Sequence, residues 1–150
     1  MAAVRSRKMK TINMLLSAVL LVSAAIGSYI LATDSYLKSA APTHAYGLAA
    51  FTVIDLVLIA GVWRRPRIAI IVAVLLGLVQ MGAMGGDVFF GTLTFSSNIT
   101  TATAFSNYLL GDLAFLSLLG VQVVLILVGI AAFVLGRRSP AVQQVAQVSS

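Results

Sequence analysis

The chain has no cysteine and no glutamate, and only one histidine and one tryptophan in 150 residues. Without cysteine there is no disulfide, thiolate metal site, iron–sulfur cluster or cysteine nucleophile. With His44 as the single histidine, a haem held by two histidines of this chain is excluded. The acidic residues are four aspartates, Asp34, Asp55, Asp87 and Asp112. Charged residues make up 9% of the chain, where a soluble domain carries about a quarter.

What is present is apolar: 60% of the residues are hydrophobic and the mean hydropathy is +1.04. One small core cannot enclose so much apolar surface, so the solvent for most of it is lipid. The net charge of +6 comes from basic residues clustered between apolar runs. That is a pattern of membrane orientation rather than a nucleic-acid face, and no nucleic-acid partner is expected.

The apolar runs predict an all-α integral membrane four-helix bundle in a single domain, 1–150, with spans at about 12–32, 43–63, 68–90 and 108–135. The first run follows a basic start, yet it is longer than a signal-peptide core and reads as a span. Pro42 suits the first turn of the second helix, because its missing N–H is no loss there. Thr33–Thr43 reads as a polar connection and Arg64–Arg67 as a tight turn. The fourth run is about 42 Å if fully helical, longer than the hydrocarbon core, and predicts a tilted or projecting helix capped near Ser106 or Asn107. Residues 91–107 are rich in Thr, Ser and Asn, and the alternation Thr92-Leu93-Thr94-Phe95 allows a short β-hairpin or an irregular loop. Asn98-Ile99-Thr100 fits a glycosylation acceptor. A disordered, uncharged tail is expected over 139–150.

Arg5, Arg7, Lys8, Lys10, Arg64, Arg65, Arg67, Arg137 and Arg138 fall on one side of this arrangement and Lys38 alone on the other. The positive-inside rule then places both termini in the cytoplasm, with the plasma membrane of a prokaryote as the expected location.

Asp55 lies about eight residues, or roughly 12 Å, from Trp63 at the end of its span, near the bilayer midplane. A charged carboxylate at a helix centre costs roughly 3 kcal/mol on insertion scales, so the neutral acid is the expected form. Gln80 and Gln122 lie at similar depth, and Asp55 is expected to face the interior and hydrogen-bond one of these amides in a buried polar cluster. His44, Asp87, Asp112 and Lys38 form the expected outer polar cluster. Within it Asp112 sits near a helix N-terminus, where its charge is favoured, and Asp87 needs Lys38 or His44 as a partner. With one His and no HxxxH spacing, no metal site is expected. Ser23 and Gly27 share one face of the first helix, Gly77 lies on a small and polar face of the third, and Gly82 and Gly86 form a GxxxG pair. All five are expected at helix contacts.

Catalysis is not expected, nor a cofactor. An intramembrane aspartyl protease needs a GxGD sequence, and the residues before Asp87 are Met84-Gly85-Gly86. In length and span count the layout resembles small tetraspan families such as DoxX-like proteins and small multidrug transporters. The latter carry a membrane glutamate in the first helix, and this chain has none. The functional expectation is a non-catalytic accessory or structural subunit of a larger membrane complex, a respiratory one being an example. The alternative is a small proton-coupled transporter acting as an oligomer through Asp55. The expected partners are lipid and other membrane subunits, or further copies of the chain.

Overall fold

Two prolines set the frame. In the computed structural model, which describes residues 2–90 and 102–137, Pro42 opens α3 (Pro42–Arg64) and Pro66 opens α4 (Pro66–Phe90). A residue before proline is pushed out of the helical region, and Ala41 and Arg65 respond alike, with φ, ψ of −134°, 61° and −139°, 68°. At Arg65 the helix therefore stops and restarts within one residue. The Arg65 N–H still reaches the Gly61 carbonyl at 2.8 Å, while the Arg65 carbonyl accepts from Ala69 N–H at 3.0 Å.

The remaining elements are α1 (Ala2–Thr33), α2 (Ser35–Ala40), α5 (Ala102–Gly111) and α6 (Leu113–Arg137). Four segments are long and apolar enough to cross a membrane: Lys10–Thr33, Pro42–Arg64, Pro66–Gly86 and Leu113–Leu135. Of the 18-residue apolar stretch in each span only 22–39% is buried within the protein, so most of it presents apolar side chains outward to lipid. The protein is thus a small all-helical membrane protein, with no strand among the described residues. α1 packs on α3 and α6, and α4 packs on the same two, so the four spans close a ring.

The connections differ from the sequence reading in two places. The polar connection after α1 contains the short helix α2, whose first turn is capped by the Asp34 side chain accepting from Leu37 N–H at 2.8 Å. The fourth run is not one helix. It breaks at Asp112, which caps α6 by accepting from Ala114 N–H at 2.8 Å and Phe115 N–H at 3.4 Å. An aspartate competes with the helix for backbone donors, so it starts a helix more readily than it continues one. The cap is therefore at Asp112 and not at Ser106 or Asn107, and residues 102–107, expected in a hairpin or irregular loop, are helical. The rest of that loop, Asn98 and the tail 139–150 lie outside the described residues.

Close approach of the helices is visible at glycines. A Cβ on Gly27 would lie 2.5 Å from Thr52 Oγ1 on α3, and one on Gly77 would lie 3.0 Å from Ile126 Cγ1 on α6. Gly82 has nothing within 4 Å of such an atom. The expected contact at the Gly82–Gly86 pair is not made at Gly82; both glycines line a cavity instead.

Candidate functional site

The core is two apolar clusters with a polar layer between them. On α1, Leu20 belongs to one cluster and Ile30 to the other, and Ser23 lies between. On α3 the flanking residues are Leu58 and Ala45 around Asp55, on α4 Leu76 and Met84 around Gln80, and on α6 Leu125 and Leu118 around Gln122. Each spanning helix thus gives one polar side chain to a single level. All four are sealed, with Asp55, Gln80 and Ser23 each 1% exposed and Gln122 fully buried.

Ser23 organises the layer. Its hydroxyl donates to Asp55 Oδ2 at 2.6 Å and accepts from Gln122 Nε2 at 2.8 Å. Asp55 faces the interior, but its bond is to Ser23, and Gln122 reaches it only through that hydroxyl. A hydroxyl both donates and accepts, so it can bridge two groups that are not placed to meet. Three polar atoms of the layer are buried with no hydrogen-bond partner: Asp55 Oδ1, Gln122 Oε1 and Gln80 Nε2.

The chain Gln122–Ser23–Asp55 suits either form of the acid. With a carboxylate, donation runs from the amide through the hydroxyl to Asp55. With a neutral acid, Asp55 donates to Ser23 and the hydroxyl turns to an amide oxygen, after the Gln122 amide turns end for end. The hydrogen bonds of the layer are therefore compatible with either form of the acid.

A second feature lies at the end of the bundle away from the arginine turn. It is an open cavity of about 490 Å³ whose walls include Asp34, His44 and Asp112, with Phe51 deepest on α3. Two members of the expected outer cluster, His44 and Asp112, thus line one space. Asp34, read from the sequence only as part of a connection, joins them. Its Oδ2 accepts the Tyr108 hydroxyl, and the Tyr108 ring lies 4.6 Å from that of Tyr36. Lys38 is exposed, with its Nζ 3.4 Å from the Ala32 carbonyl rather than in the cavity. The Asp87 side chain lies outside the described residues. Among the described residues no group of three or more His, Cys, Asp or Glu side chains is placed to hold a metal ion.

Sequence reasoning passed over a third polar point. Asn13 and Ser17, one turn apart on α1, approach α3 where Asn13 Nδ2 lies 3.5 Å from the Val62 carbonyl. Asn13 Oδ1 and Ser17 Oγ are buried without partners. Polar residues one turn apart in an apolar run were the available signal. Compared with family models, with curated proteins and with solved structures, the chain matches none.

Proposed function

We propose that this membrane protein is a non-catalytic subunit of a larger membrane assembly, of which a respiratory complex is one kind. The observation that carries the reading is the sealing of Asp55. The carboxyl is 1% exposed, tied to Ser23, and does not line the end cavity. An interhelical bond of this kind holds a bundle together at about 0.6 kcal/mol on average. With Ser23 equally buried, no substrate reaches the hydroxyl, and no catalytic step is assigned.

What remains for function is the outer surface. Small residues Ala18, Ala25 and Ser28 face outward on α1, where they let a foreign helix approach closely. The same reading places the arginine-bearing end in the cytoplasm.

The test is purification of the tagged full chain from its native membrane in mild detergent. A heterologous membrane partner in fixed stoichiometry is expected, and it is retained by Asp55→Asn. A homo-oligomer that carries pH-dependent flux in liposomes, lost in Asp55→Asn, overturns the subunit reading in favour of a proton-coupled transporter. Two observations favour that second reading. Three polar atoms of the layer lack partners, and the cavity wall reaches Phe51, one helical turn from Asp55.

A further inference from the structure

We infer that the end cavity binds a small amphiphile with an apolar body and an ammonium head, and that Asp112 receives the head. The cavity, about 490 Å³, falls within the range of small-molecule sites, roughly 300–1,000 Å³. Its deeper wall is apolar, formed by Leu48, Phe51, Met84 and Phe115. From His44 to Phe51 it follows α3 for two turns, about 10 Å, enough for a medium alkyl chain or an aromatic ring. The room comes from Gly47 and Gly82, which both line it and have nothing within 4 Å of an added Cβ.

The charge on the wall selects the head. Among the described residues the wall carries two carboxylates, Asp34 and Asp112, against one basic side chain, His44, and neither lysine nor arginine. Asp34 has committed both oxygens, to Leu37 N–H and to the Tyr108 hydroxyl. Asp112 commits Oδ1 to the first turn of α6, and Oδ2 has no partner among the described residues. An anionic head would face two carboxylates, and a neutral one would leave Asp112 Oδ2 without a charged partner. An ammonium answers it with a charge-assisted bond.

The experiment uses the full chain in nanodiscs of zwitterionic lipid, titrated with octylammonium, octanol and octanoate, with partition into empty discs subtracted. Octylammonium is expected to bind saturably, about tenfold or more tighter than octanol, with octanoate not binding. Asp112→Asn keeps a good cap for α6 and is expected to remove that preference. Gly82→Leu fills the cavity and is expected to abolish saturable binding while the protein stays folded. Equal binding of the three probes, an unchanged preference in Asp112→Asn, or no saturable binding overturns the inference. So does a phospholipid that Gly82→Leu releases and octylammonium does not displace, which assigns the cavity to an acyl chain.

Discussion

Ser23→Ala is the smallest change that reaches the centre of the molecule. It removes one oxygen from a fully packed position and leaves two partners, Asp55 Oδ2 and Gln122 Nε2, without the atom that joins them. Each orphaned buried group costs about 1–3 kcal/mol in a water-soluble protein. Side-chain bonds between membrane helices average about 0.6 kcal/mol, because the lipid-embedded reference state finds partners too. Two such bonds set a floor of about 1 kcal/mol. The absence of water at a site 1% exposed or less pushes the value up, and we expect a loss of about 1–3 kcal/mol.

The assay is reversible unfolding of the purified chain in mixed micelles, titrated with a denaturing detergent and followed by helicity. Asp55→Asn keeps an oxygen that can accept from Ser23, so it should lose less than Ser23→Ala. A double-mutant cycle of Ser23→Ala with Gln122→Ala isolates the one bond. The two changes should cost less together than the sum of the singles, because either alone already breaks it. Stability of Ser23→Ala within about 0.3 kcal/mol of the parent, or additivity of the pair within about 0.3–0.5 kcal/mol, refutes the role of Ser23 as the bridge.

Three further outcomes are expected. Gly27→Ala places a Cβ 2.5 Å from Thr52 Oγ1 and should destabilise by about 1–3 kcal/mol, an effect that Thr52→Ala in the same chain relieves; Gly82→Ala, with open space around it, should be neutral or slightly stabilising, and thermal unfolding in detergent checks both. The absence of native cysteine makes single-cysteine labelling clean: a membrane-impermeant maleimide applied to intact cells should label Ser39→Cys and spare Arg65→Cys, and the reverse pattern refutes the proposed orientation.

The spans were legible because the bilayer fixes their length. Pro42 opens α3, near where the sequence reading placed its start, whereas Pro66 opens α4 two residues before the start read at 68. Asp55, Gln80 and Gln122 were legible as interior residues because each is expensive in hydrocarbon. Ser23 was not legible as their centre. A hydroxyl costs little in a helix, since it can also bond its own backbone, so Ser23 read as a small packing residue. The Tyr108–Asp34 bond joins residues 74 apart in sequence, and no local pattern records such a pairing. The break at Asp112 was hidden because the apolar run continues on both sides of it.

The glycines show why the face of a helix decides contacts and a motif does not. Gly27 lies four residues from Ser23, Gly77 three from Gln80, and Gly129 seven from Gln122. These spacings return to the same side of a helix. All three are glycines where an added Cβ would meet a neighbouring helix, Gly129 against Val74. Gly82 is two residues from Gln80, about 200° around the helix, so it turns away from the layer although it belongs to a GxxxG pair. Gly129 carries no motif and drew no notice in a run as apolar as α6, yet its phase relative to Gln122 marks it as inward. A buried amide costs enough to fix which side of a membrane helix meets protein. Small residues in phase with it are then the ones that set how closely the helices approach, and those out of phase are left to line open space.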